Sequence, residues 1–421
     1  MDGDAPAMNK PALKDSPQRW NLMALLVLAM VACYAHRGTL SIAVPFLQKE
    51  MSLSKAQLGV MLSAFSWCYA FLQVPSGWLV DRFGVRRVYG WGFFLWSLAT
   101  AFTGFAKNIV MLIAFRVPTG AFQAVAFPAS SRAVVDCFQD RERGTVTGLY
   151  LTGVRIGTAL ISWFGGLFLA QYDVRLFFLV TGLISLVWLL PWHWFMRKWE
   201  VPTSSVAKKA SLSLWHSLTW LKHKSVLGIF LGFFAYDYAW FVYINWLPGY
   251  LSLERKFTPQ EMGVYSAVPY LAMSVIILTS GTLSDWLVRK GWNEIKVRKS
   301  FIMLGLAIGC LVVPAGFVED KMTAVWLLTV ALCGIGVAAP NTWTLTQAVC
   351  EKHVVGTVSG IQNWGGNVGG IIAPALTGFI AQYSSFATSL VVVGVVLVGG
   401  ILSYGLLIEE KFEVSQEGVY P

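Results

Sequence analysis

Long apolar stretches recur along the whole chain and leave little between them that water would solvate. Met23 to Ala35, Val88 to Ala106 and Val391 to Leu407 are examples. A bilayer span takes about 20–25 residues, so twelve spans would use about 240–300 residues and leave short loops plus one linker. The chain has 421 residues, of which 13% are charged, about half the share in a soluble domain. An ordinary soluble enzyme is excluded. The expected fold is all-α: a polytopic membrane protein with 12 transmembrane helices in two pseudo-symmetric six-helix bundles.

Hydropathy and punctuation place spans at 20–47, 57–80, 86–106, 109–137, 144–171, 174–197, 225–250, 261–287, 298–317, 322–350, 354–382 and 386–409. A polar stretch at 199–224, holding Lys208, Lys209, Lys222 and Lys224, reads as a cytoplasmic linker between a first bundle (20–198) and a second (225–409). Residues 1–19 and 410–421 form the tails. Gly77-Trp78-Leu79-Val80-Asp81 follows the second span and Gly281-Thr282-Leu283-Ser284-Asp285 the eighth, so the pattern G-x-L-x-D returns after 204 residues. Repeats of this kind mark transporters that bind their cargo between two halves near the bilayer midplane.

The formal charge of +10 would point to a polyanionic partner in a soluble protein. Here it has a simpler reading. With both termini on one side, the opposite loops hold only Lys49, Lys55, Lys107, Arg175, Arg255, Lys256 and Lys321. About three times as many cations fall on the terminal side, which places the termini and linker in the cytoplasm. Nucleic acid is not an expected partner. The six cysteines lie singly in or beside apolar segments, with no metal or disulfide spacing. No cofactor motif is present, and residues 1–19 lack a cleavable signal pattern, so the first span is retained.

Ions inside hydrocarbon are costly and usually face a cavity or a partner. Arg37 lies ten residues from the expected end of the first span, about 15 Å, and Arg116 seven residues into the fourth from the same side, about 10 Å. Tyr34, Arg37 and Ser41 share one helix face, as do Arg116, Gly120 and Gln123. Guanidinium is a planar, permanently charged fork that matches a carboxylate, so Arg37 is the leading candidate to grip an anion. A structural ion pair or interhelical hydrogen bond is the alternative for it, and Arg116 reads either as a ligand or gating residue or as a structural one. Arg155, about 17 Å into the fifth span, reads either as a second clamp or as a salt-bridge partner of Asp237. Asp237, about 18 Å into the seventh span among Tyr236, Tyr238, Trp240 and Tyr243, reads either as a proton carrier or as a permanently ionised partner. His36 is a weaker proton candidate, since a lone imidazole is more often a packing residue.

The segment Gly77 to Arg87 together with Arg116-x-x-x-Gly120 resembles the major facilitator superfamily, over essentially the whole length from Trp20 to Leu407. Within it, Asn245-Trp246-Leu247-Pro248-Gly249-Tyr250-Leu251, Phe127-Pro128-Ala129 and the run from Asn363 to Gly370 are similar to the anion:cation symporter family. That resemblance implies alternating-access transport of a small organic anion, a carboxylate or sugar acid, commonly coupled to protons. It implies substrate contacts at Tyr34, Tyr69, Trp343 and Asn363. It also implies a cytoplasmic gate around Asp81, Arg82 and Arg132, with Asp285 at the repeated position. Two departures stand out: bacterial sugar-acid members usually carry an acid where this chain has His36, and a glutamate where it has Gln123. Gln123 cannot carry a proton. An efflux antiporter, a non-transporting anion receptor and an embedded enzyme are the other classes. The first lacks its Gly-Pro step in the fifth span and the last has no reactive cluster. With no N-x-S/T sequon, a bacterial inner membrane and a monomer are expected.

Overall fold

The structure, a computed structural model, describes residues 13, 16–198, 220–350 and 355–408. Lys208 and Lys209 of the linker, the tail 410–421 and most of the tail 1–19 lie outside them. Among the described residues the chain is helical, without strands: α1 (Arg19–Met51), α2 (Lys55–Phe83), α3 (Val85–Phe102), α4 (Ile109–Gln123), α5 (Ala126–Cys137), α6 (Asp140–Leu169), α7 (Val174–Ser185), α8 (Leu189–Arg197), α9 (Lys224–Leu253), α10 (Pro259–Arg289), α11 (Glu294–Gly309), α12 (Val312–Ala315), α13 (Lys321–Val349), α14 (Val355–Tyr383) and α15 (Phe386–Leu402).

Among the described residues, ten helical segments are long and apolar enough to cross a membrane. The helices at the third and eleventh expected positions, α3 and α14, are not among them: α3 opens on Arg86 and Arg87, and α14 carries Gln362, Asn363, Asn367 and many glycines. The expected span 109–137 is two helices. Pro128 has no N–H to offer Ala124, so the ladder breaks at Ala124–Val125 and restarts with Ala126. Helix ends follow their capping residues. Ser54 with Gln57, and Thr258 with Glu261 and Pro259, are capping boxes that start α2 and α10. Each G-x-L-x-D segment is followed by a glycine at positive φ, Gly84 at 82° and Gly291 at 92°, where the chain turns into the next helix.

The two halves meet along α1 with α9, α2 with α14 and α6 with α10. Ser41 Oγ donates to the carbonyl of Asn245 at 2.7 Å, and these positions are 204 residues apart, the spacing of the repeated motif. The face carrying the α1–α2 turn is tightly closed. Gly59 lies against Gly378, and Gly166 against Gly263, so closely that any side chain at these positions would strike the opposing backbone. Lys55 adds an ion pair to Glu254 at 3.8 Å and a backbone bond to Gln382 at 2.9 Å. At the opposite ends of the same helices, Gly77, Gly148, Gly356 and Gly360 have open space beside them. The halves touch at one face and part toward the other.

Large apolar side chains also cover the outer surface, among them Trp91, Ile184, Leu190, Val275 and Val395. On ten long apolar helices this is the surface that lipid, and not water, covers.

Candidate functional site

Arg37 lies near the middle of the 33-residue α1, deeper than expected because the helix runs on to Met51. Its guanidinium is buried inside an aromatic cage, 4.4 Å from the Tyr34 ring, 4.6 Å from Phe65 and 4.4 Å from Tyr69. Such contacts hold a cation without neutralising it. Its hydrogen bonds are also to neutral groups: Nε donates to Gln123 Oε1 at 3.1 Å and Nη1 to the Tyr34 hydroxyl at 3.2 Å. Nη2 has no partner among the described residues. None of the ion pairs among the described residues involves Arg37.

The local packing explains this pose. Gly120 lets α2 approach α4 so closely that a Cβ there would strike the carbonyl of Phe65, and the rings of Phe65 and Tyr69 thereby reach Arg37. Gln123 is fully buried and bonded through both ends of its amide: Nε2 donates to the Cys33 carbonyl at 3.2 Å, and Oε1 accepts from Arg37 and from Cys33 Sγ. It fixes the plane of the guanidinium and brings no charge of its own.

Arg116 is placed differently. Nη2 donates to the Arg37 carbonyl at 3.0 Å and Nη1 to the His36 carbonyl at 3.4 Å, so it clamps the backbone of α1 beside the cage. His36 turns away, with Nε2 3.2 Å from the Thr181 carbonyl on α7. It faces the interior of its own half.

The second half supplies the facing wall. Arg155 on α6 lies over the Trp240 ring of α9 at 3.8 Å, joining the halves. The salt bridge between Arg155 and Asp237 weighed from the sequence does not form. The Asp237 carboxylate instead lies against Gly366 of α14, filling the place of a side chain there. Asn363 on α14 donates to Gln73 of α2 at 2.6 Å, and Asn367 donates to the Asn363 carbonyl at 2.9 Å. Trp343 on α13 packs edge-on against Phe233 at 5.2 Å and remains 38% exposed. Of the candidates, Tyr34, Arg37 and Tyr69 come together in one cage, Arg116 braces it from behind, Asp237, Trp343 and Asn363 belong to the opposing half, and Arg155 reaches toward that half from α6. Gln73 and Gln123 were missed as site residues. Gln73 lies one turn beyond Tyr69 in an apolar span, which was the available signal.

The sequence profile of the Major Facilitator Superfamily matches residues 26–374. The chain belongs to the Major Facilitator Superfamily. It is similar to the D-galactonate transporter of Escherichia coli, with 33% identity over 96% of this chain and 99% of that one. It is 30% identical to a probable L-galactonate transporter of the same species, covering 92% and 89% of the two chains. A probable sulfoacetate transporter of Cupriavidus necator is 28% identical, over 86% and 87%. Among solved structures, a bacterial homologue of the lysosomal transporter Spinster superposes with a TM-score of 0.79 at 17% identity, over 95% of this chain and 100% of that one. A D-xylose–proton symporter superposes at 0.72 and 15% identity, over 93% and 98%. The superfamily and these relatives are transporters, not enzymes.

In this member of the Major Facilitator Superfamily each repeated aspartate has an arginine partner within its own half. Arg132 reaches Asp81 at 3.3 Å and Asp136 at 2.8 Å. Arg298 meets Asp285 at 2.5 Å, and Glu294 at 3.5 Å, while bonding Ser284 and Asn341. Arg82 is exposed and lies 5.1 Å from the Trp78 ring. Arg298 was not singled out from the sequence because it sits at the first residue of the expected ninth span, where a cation reads as an interfacial anchor.

Proposed function

We propose that this chain carries a small organic anion, a sugar acid, across a bacterial inner membrane by alternating access. In this reading twelve spans form two halves, residues 20–198 and 225–409, joined by the linker 199–224, with both termini in the cytoplasm and the protein acting as a monomer. The halves rock about the central cavity, so Arg37 meets each side in turn. Asp81, Arg82, Arg132 and Asp285, with Arg298, act at the cytoplasmic gate. The observation that carries the reading is the caged Arg37 guanidinium. It is buried, bonded only to neutral groups, and keeps one nitrogen uncommitted. A buried cation without an acid partner is costly, and an incoming carboxylate relieves that cost. Named relatives of this chain transport galactonate, which fits a carboxylate site lined by hydroxyls and amides.

Coupling to protons is part of the same proposal. Asp237 is the acid for that role, because it borders the cavity and forms no ion pair, whereas His36 bonds Thr181 within its own half. Counterflow of labelled D-galactonate in proteoliposomes tests carriage. Exchange across the membrane that is lost in Arg37→Ala supports it, while binding without exchange would make the protein a receptor. Uptake by Asp237→Asn that still responds to an imposed proton gradient would remove Asp237 from coupling.

A further inference from the structure

The central cavity has two poles of different character. At one, Arg37 presents an uncompensated positive charge. At the other, Arg155 lies over Trp240, and Asp237 stands against Gly366 on the same wall. Both poles face one space: Asn363, one turn before Gly366 on α14, donates to Gln73, one turn beyond the Tyr69 that lies against Arg37. Around Asp237 the other titratable groups are Tyr236 beside it and Tyr404 just beyond α15, while α14 offers the Gly366 backbone.

With Asp237 ionised, the charges of Arg37, Arg155 and Asp237 leave one positive charge in excess, apart from that of Arg116, whose terminal nitrogens are bonded to the carbonyls of α1. A single substrate carboxylate at Arg37 balances it. The second pole is then neutral overall, yet it holds donors on Arg155, which Trp240 keeps in place from beneath, and acceptors on Asp237. That set suits a hydroxylated carbon chain, whose O–H groups donate to the carboxylate and accept from the guanidinium. A second carboxylate placed there would meet Asp237 in a poorly screened cavity, where like charges repel strongly.

We propose that the Arg155–Asp237–Trp240 pole makes the site selective for a monocarboxylate with a hydroxylated tail, and that Asp237 is the residue that turns dicarboxylates away. This rests on the reading of Arg37 as the carboxylate grip. It deepens that reading by fixing the charge of the cargo.

Galactonate and galactarate have the same number of carbons and differ in the charge of the far end. Purified protein in neutral buffer is titrated with each acid, and apparent affinity is read from the thermal shift, since ligand binding raises stability by mass action. Wild type is expected to favour galactonate by at least about tenfold. Asp237→Asn, with an unchanged ligand-free melting temperature, is expected to gain about tenfold or more for galactarate relative to galactonate. Arg155→Gln is the second variant. It leaves Asp237 uncompensated and is expected to widen the preference for galactonate. Equal affinities in wild type, an unchanged ratio in Asp237→Asn, or a narrowed preference in Arg155→Gln would overturn the selectivity while leaving the Arg37 grip standing. A shift from neither acid would overturn both.

Discussion

Arg37 and Arg116 are equally buried, at 5% exposure each, on packed helices of the same half. Burial and charge do not distinguish them, but their partners do. Arg116 spends its guanidinium on two carbonyls of α1, holding the backbone that carries Arg37. Arg37 has three rings around it, two neutral side-chain partners and its terminal Nη2 left over, whereas the nitrogen that Arg116 leaves over is the inner Nε. A buried arginine whose bonds go to backbone is part of the scaffold. One held in place without being satisfied is prepared for something that arrives from outside.

The largest expected effect separates the two directly. Arg37→Ala removes charge-assisted bonds to the anion, each worth about 1.5–3 kcal/mol, and galactonate affinity should fall by about a hundredfold or more while the ligand-free protein keeps its melting temperature. Arg116→Ala should do the reverse. Loss of the clamp costs about 1–3 kcal/mol of stability, visible as a lower ligand-free melting temperature, with galactonate affinity changed only a few-fold. If both variants lose affinity alike, the distinction between grip and scaffold is wrong.

Gln123→Glu sharpens the comparison by giving Arg37 the internal partner it lacks. An ionised carboxylate at the position now 3.1 Å from Nε competes with the substrate, so affinity at neutral pH should drop by about tenfold. It should recover as acidification protonates the new glutamate. A pH-independent loss would mean that the side chain's shape, and not its charge, matters. The smallest effect is a control remote from both arginines. Asp320 caps α13 by accepting from the Thr323 N–H at 2.6 Å and hydroxyl at 2.7 Å, and these bonds hold its carboxyl below the usual range. A depressed folded-state value stabilises above the unfolded one and is lost as pH falls through it. Asp320→Ala should therefore lower the melting temperature slightly at neutral pH, make no difference in acid, and leave galactonate binding unchanged.

Much of the architecture was legible because bilayer thickness imposes it. Apolar runs marked the helices to within a few residues, and the 204-residue spacing of G-x-L-x-D recurs where Ser41 meets Asn245. The break at Ala124–Val125 was not drawn from the sequence, although Pro128 carried the information. Within the site, Arg37 stood out because a charge in hydrocarbon demands a reason. The pairing of arginines and acids did not, since partners are chosen by helix rotation. Asp237 looked available to Arg155 by depth, yet its carboxylate is turned to Gly366. His36 neighbours Arg37 in sequence and points the other way, because adjacent helical residues lie about 100° apart. Gln73 finds its partner Asn363 across 290 residues, a distance over which no local pattern in a single sequence reports.

Where the substrate carboxylate rests is the most direct test. An experimental structure with galactonate bound should find its oxygens within hydrogen-bonding distance of the Arg37 guanidinium, Nη2 included, with the Arg116 bonds to α1 intact. A carboxylate bound by Arg116 in place of Arg37, or a galactonate outside the cavity between the halves, would contradict the account.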